Sequence, residues 1–255
     1  SSDWSSDVCS SDLKGMQLMD ALMPEAEIPL RRRVRLDFWT RWLGPDSPYP
    51  EAREERLRPG RPLPDWARTA FPEDRTTIRI LDVNAGPLSG LGDQADGRRV
   101  ELVPVDELAF HFDRALAEAD LEPPVRTRHC APEDVRVAFG EQAFDLVYSY
   151  NGLDFLADPV AVYQELLAVL KPGGRIVTFH EAIEDAARIH RDGYRFFHGL
   201  HNGRVILRNK SRRWDLQDAL PGAAVQGSRE NGAIRVEIRR ARQRSAVPPR
   251  PRREE

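Results

Sequence analysis

The chain is poor in several features that mark whole classes of protein. Two cysteines in 255 residues, Cys9 and Cys130, cannot build a disulfide framework, which excludes small stapled scaffolds and fits a reducing compartment. No run approaches the ~18 consecutive apolar residues that a membrane-spanning helix needs. Aromatic residues are only 8% of the chain, and the formal net charge is -3. That balance offers neither nucleic acid nor an anionic membrane a dominant attraction. What is left is a cytoplasmic protein with one substantial core and some extensions.

Both ends are compositionally biased. The opening SSDWSSDVCSSDL repeats its own SSD and lacks a signal-like hydrophobic segment. It resembles a translated sequencing-adapter fragment, so residues 1–15 are expected to be artefactual or disordered, with Met16 or Met19 as natural starts. Residues 241–255 combine arginines with Pro248, Pro249 and Pro251 and have almost no apolar content, so a disordered tail is expected there.

Between them, residues 16–76 read as a helical extension that either covers a site or wraps the domain. Val34, Phe38 and Trp42 recur at helical spacing over Arg31–Leu43, and Gly44-Pro45 stops that helix. Ser47–Pro72, rich in Pro and Arg, is expected to cross the surface with little regular structure, pinned by Trp66 and Phe71. From residue 77 to 240 strands and helices alternate. Strands are expected at Ile78–Val83, Val100–Val105, Val125–His129, Phe144–Ser149 and Arg175–Phe179, with a weak helix from about Ser89 and a firmer one over Glu107–Ala119. Asp158 and Pro159 open another helix, and Lys171-Pro-Gly-Gly174 ends it. A helix over Ile183–His190 and a short strand at Val205–Leu207 follow. Ala223–Ser228 and Ala233–Arg239 are expected to pair antiparallel across Arg229–Gly232. This alternation predicts a Rossmann-like, mostly parallel seven-stranded sheet with helices on both faces and an antiparallel C-terminal strand.

Ile78–Gly90, IRILDVNAGPLSG, is a short apolar strand ending in an acid and followed by a turn of small residues. Such a turn lets backbone approach a nucleotide-like ligand at the C-terminal edge of a parallel sheet. With VPVDELA, FDLVYSYNGLDFLADP and ELLAVLKPGGRIV in this order, the chain resembles the class I S-adenosylmethionine-dependent methyltransferases over roughly residues 77–180. The NGLD…DP and GLH segments look closest to poorly characterised bacterial members.

That resemblance implies S-adenosyl-L-methionine as cofactor and methyl transfer to an O, N or C atom of a small-molecule acceptor. Asp82 is then expected near the donor's amino acid portion, although a cap for the next turn is the plainer reading of that acid. Gly86 suits close backbone approach. Asn84 stands where the family has its first glycine, and Asn tolerates left-handed dihedrals; Leu88 departs from the third glycine. Asp106 is implied at the ribose hydroxyls, or else caps the next helix, and Pro104 just before it is unusual in a central strand.

Cys130 and Ala131 are implied at the adenine, with Glu133 or Asp134 beside them, although a lone Cys among apolar residues ordinarily packs. Tyr150 and Asn151 are implied at the transfer centre. His180, expected at the rim, and His201 are candidates to take a proton from the acceptor. The spacing of His180, Glu181, Glu184 and His190 is not that of HExxH, and no metal is expected. Asn84 and Leu88 keep open a degenerate cofactor-binding or regulatory protein on the same fold. An NAD-dependent oxidoreductase is the remaining alternative. It is disfavoured by the lack of a good GxGxxG and of a Tyr-x-x-x-Lys relay, and an antiparallel last strand would disfavour it further.

Overall fold

A computed structural model describes residues 29–69, 71, 75–182 and 195–240. The expectations for the first 28 residues, for the helix at 183–190 and for the tail at 241–255 lie outside the described residues.

The N-terminal extension contains three helices, α1 (Leu30–Leu43), α2 (Pro50–Leu57) and α3 (Asp65–Arg68). The Pro- and Arg-rich stretch is therefore more regular than its composition suggested. Pro50 and Pro64 sit at helix starts, where a missing N–H costs nothing. Trp66 stacks on Tyr148 at 5.7 Å and Phe71 is buried, which pins this stretch to the sheet.

The central sheet is built from β1 (Thr77–Val83), β2 (Gln94–Ala95), β3 (Arg98–Asp106), β4 (Arg128–His129), β5 (Phe144–Tyr150), β6 (Leu170–Glu181), β10 (Ala223–Glu230) and β11 (Ala233–Arg240). Its order is β10-β11-β6-β5-β1-β3-β2, seven strands along the path, with β4 paired to β3 beside β2. The pairs β1–β3, β1–β5, β5–β6 and β3–β4 are parallel. β11 runs antiparallel to β6, and β10 antiparallel to β11. The Rossmann-like sheet and its reversed terminal hairpin are as expected. The third strand shrinks to Arg128–His129, and no helix separates β1 from β2, where the run of glycines favours bends. β3 is paired along one side by β1, but on the other only at its two ends. Pro104 thus lies beside an open stretch of edge, where its lack of an N–H is tolerated.

Helices α4 (Ala109–Glu118), α5 (Val135–Phe139) and α6 (Pro159–Val169) flank the sheet. In α6 the Asp158 carboxylate accepts from the Ala161 N–H at 3.0 Å, Pro159 occupies the first turn, and Val162, Tyr163, Leu166 and Val169 face the core. Losing such a cap costs about 1 kcal/mol. Asp158→Ala is accordingly expected to lower the unfolding free energy by about that amount in urea titrations, without changing the slope.

A second, three-stranded antiparallel sheet follows β6: β7 (Phe197–His201), β8 (Arg204–Arg208) and β9 (Arg213–Asp215), with the short α7 (Leu216–Ala219) behind it. Only its middle strand was legible in the sequence.

Candidate cofactor cleft

β1 lies between β3 and β5, so the chain leaves it in opposite directions and a crevice opens at the carboxyl ends. The turn after β1 is fastened from all sides. The Ala85 N–H donates to Val105 O (3.1 Å), the Ser149 hydroxyl to Val83 O (2.8 Å), and the Thr127 hydroxyl to Gly86 O (2.7 Å). Asn84 has φ 55° and Asn151 φ 52°. Each occupies the left-handed region, which asparagine enters more readily than other side chains. Gly152 lets the two turns meet: a Cβ there would lie 2.5 Å from Asn84 Cβ, and its carbonyl accepts from Asn84 Nδ2 at 2.9 Å.

A cleft of about 730 Å³ opens over this turn, with Asp82, Asn84, Tyr148, Tyr150, Asn151 and Glu181 on the sheet side. Arg35, Trp39, Tyr49 and Arg56, from α1 and α2 and the loop between them, form the facing wall. Asp82 is buried and accepts from the Ser89 hydroxyl at 2.6 Å. Burial raises its carboxyl to about pH 7, against the pull of Ser89 and Arg56. Asn84 Oδ1 is buried and has no hydrogen-bond partner among the described residues. A half-neutral carboxyl beside an orphaned amide oxygen suits a cationic donor group, and the ammonium of a methionine moiety is one. Asn151 uses its Oδ1 to accept from the Glu181 N–H at 2.7 Å, and Tyr150 stacks on Phe179 at 6.1 Å.

The remaining residues named from the sequence are not gathered in this cleft. Asp106 is fully buried, and Arg35 Nη2 donates to its Oδ2 at 2.7 Å. The Gly86 and Leu108 N–H groups also donate to this carboxylate, at 3.1 and 3.0 Å. Its pKa is raised by burial and opposed first by Arg35. Gly86 has φ 71°, and a Cβ built on it would lie 2.4 Å from the Trp39 ring. The close approach that the glycine permits is therefore made by α1. Cys130 is buried, its thiol is pushed up to about 12 by burial, and it donates to Ala131 O. That describes a packed, unreactive thiol. Ala131 opens the short turn Pro132–Asp134 outside the cleft.

His180 does not stand at the rim. Successive residues of β6 face opposite sides of the sheet, which sends Glu181 to the cleft and His180 inward. His180 is fully buried and 3.4 Å from His198, ring centre to ring centre, with planes 20° apart. Their Nδ1 atoms bond the two oxygens of Asp154 at 2.7 and 2.8 Å, and Tyr163 Oη lies 3.3 and 3.0 Å from their Nε2 atoms. Thr178 Oγ1 is 2.7 Å from His180 Nε2. Asp154, His180 and His198 are close enough to suggest a metal centre. Each ring nitrogen already has a hydrogen-bond partner, however, the Nδ1 atoms in Asp154 and the Nε2 atoms in Tyr163 and Thr178, so the group reads as a hydrogen-bonded clasp. His201 is exposed at the end of β7 and lines a different cavity. Sequence reasoning missed Glu181 by one residue. It had no signal for Arg35 or Trp39, which reach the site only through tertiary packing.

The matching protein-family description is a methyltransferase domain, over residues 87–178. An uncharacterised methyltransferase of Schizosaccharomyces pombe is 30% identical over 109 residues, 40% of this chain and 39% of that protein. The tRNA 5-carboxymethoxyuridine methyltransferase of Escherichia coli K12 is 32% identical over 100 residues, 38% of each. The match thus spans about two fifths of the length of these curated relatives. Among solved structures, the CurJ carbon methyltransferase superposes with TM-score 0.44 at 15% identity, covering 69% of this chain and 51% of that one. An S-adenosylmethionine-dependent methyltransferase from Mesorhizobium loti gives 0.41 at 16%, covering 68% and 95%. The stretch from the turn after β1 into β6 of this sheet, residues 87–178, thus matches the methyltransferase domain family.

Proposed function

We propose that the chain binds S-adenosyl-L-methionine in the cleft over the β1 turn and methylates an O, N or C atom of a small-molecule acceptor. The observation that carries this reading is the pair formed by Asp82 and the unpartnered Asn84 Oδ1 on the wall that also holds Tyr150 and Asn151. The cofactor supplies an electrophilic methyl group on a sulfonium. The protein's part is to align and to exclude water. Asp82 and Asn84 hold the cationic amino group, Asn151 braces the end of β6 through the Glu181 N–H, and Tyr150, Asn151 and Glu181 line the side of the cleft where an acceptor would lie. His180 is left outside this chemistry by its burial, and His201 by its place in another cavity.

Titration calorimetry of the full chain tests the reading. Saturable one-to-one binding of S-adenosylmethionine and S-adenosylhomocysteine, with none of NAD, is expected, and Asp82→Asn is expected to weaken it at least tenfold. A folded protein that binds neither would overturn it.

A second reading, a cofactor-binding regulatory protein on this fold, draws support from Arg35 on Asp106 and Trp39 over Gly86, which cover the ribose side of the site. Cofactor binding with no product in a broad acceptor screen would favour it. The antiparallel β11 weighs against an NAD-dependent oxidoreductase.

A further inference from the structure

Beside the small sheet lies a second cavity of about 370 Å³. Among the described residues its wall carries Arg208, Arg213, Arg229 and His201 and no acidic side chain. Arg208 and Arg213 are direct partners in the β8–β9 register. Like charges placed opposite each other in an antiparallel pair repel, so this pairing carries a cost. Arg204, on the same face of β8, is answered by Asp215 and Asp218. Arg208 and Arg213 have no such carboxylate among the described residues. The Arg208 guanidinium lies 4.5 Å over the Phe197 ring, which fixes its position and leaves its charge unneutralised. Leu200, Ile206 and Ile234 supply an apolar floor, and a space of this size holds more than a bare ion.

We propose that this cavity binds a small molecule carrying a phosphate or carboxylate group, with Arg208 and Arg213 as the paired cations that grip it. Two guanidinium forks from adjacent strands match the oxygens of such a group, and its arrival turns their mutual repulsion into shared attraction. The cavity adjoins the cofactor cleft across the end of β6, since Ala182 lines one and Glu181 the other. The anionic group therefore has two sources: part of the methyl acceptor, which rests on the proposed function, or a free anion, which does not.

The probe is inorganic pyrophosphate, titrated calorimetrically into the full chain at low salt without cofactor. One-to-one binding is expected, weakened about tenfold in Arg208→Gln and in Arg213→Gln and lost in the double variant. Arg99→Gln, which removes an exposed charge elsewhere, is expected to bind as the native chain does. Circular dichroism verifies folding, and pyrophosphate is expected to raise the melting temperature of the native chain but not of the double variant. No saturable binding, a folded double variant that binds normally, or an equal loss in Arg99→Gln overturns the site. Cofactor titrations are separate, so failure of the methyltransferase reading leaves this result standing. A matched acceptor pair, carboxylate against carboxamide, then distinguishes the sources. If the double variant loses turnover of the carboxylate alone, the site serves the acceptor. If it turns over both normally after losing pyrophosphate, the site serves a free anion.

Discussion

Asp154→Ala is expected to remove about 4 kcal/mol of stability, a large share of what a domain of this size has. Both carboxylate oxygens receive an imidazole Nδ1, and the main-chain oxygen accepts from the Arg195 and Phe196 N–H groups at 2.9 and 3.0 Å. Truncation strands two buried imidazole nitrogens, and hydrogen bonds to a charged group are worth about 1.5–3 kcal/mol each. Asp154→Asn keeps the shape but offers one accepting oxygen in place of two, so about half that loss is expected. Urea titrations of the three proteins check the order.

The same clasp sets an acid sensitivity. Burial, with His180 alongside, pushes His198 down to about 4 from its usual 6.5, and the two histidines hold Asp154 well below the carboxylate range despite its burial. Between pH 6.5 and 4 the unfolded chain takes up a proton that the folded chain refuses at His198, so stability falls as pH falls. Below the ordinary carboxylate pKa, Asp154 adds a loss of the same sign. Asp82 acts oppositely. Its raised pKa lets the folded chain keep a proton that the unfolded chain gives up above about pH 4, so its contribution falls as pH rises toward 7. Asp106, whose pKa burial also raises, acts in the same sense as Asp82. In Asp82→Asn one part of that opposing contribution is gone, and stability relative to the native chain should rise by up to about 3 kcal/mol from pH 4 to 6.5.

Asp82→Asn is also expected to weaken S-adenosylmethionine binding on the order of a hundredfold, because it removes the charged partner of a buried ammonium. In the native protein the carboxyl is raised to about pH 7, and a cation binds its ionised form. Affinity is therefore expected to fall about tenfold for each pH unit below 7 and to level off above it. Binding at pH 7 should release a fraction of a proton, which appears as a dependence of the calorimetric heat on the buffer's ionisation enthalpy. In Asp82→Asn both the pH slope and the proton release should vanish. An unchanged slope in the variant would place the titrating group elsewhere.

Most of the sheet was legible in the sequence because its signals are local. The apolar run of β1 ending in Asp82, the Asp158-Pro159 opening of α6 and the Arg229–Gly232 turn each carry their own physical cause. The small sheet was not legible. β7 and β9 are short and only half-buried, and their pairing is fixed by β8 rather than by their own composition. The cleft was legible by half. Asp82, Asn84, Tyr150 and Asn151 share one wall because they end neighbouring strands. Asp106 and Gly86 also end or follow strands, but α1, arriving from far away in sequence, lies over them. The histidine assignment turned on pleat phase, since Glu181 and His180 are adjacent in sequence and on opposite faces of β6.

The Asp154 clasp also bears on how this fold can vary. By joining His180 of β6 to His198 of β7, it ties together the two ends of the span from Glu181 to Phe197, as a crosslink would. Doubling the length of a flexible span held at both ends costs only about 0.6 kcal/mol. Lengthening the chain between Ala182 and Arg195 thus adds little to the cost of closing that span, provided that the three clasp residues stay. Glu181 and Ala182, where that span begins, line the two cavities, so a change beside them alters what the chain recognises without disturbing the sheet that holds Asp82.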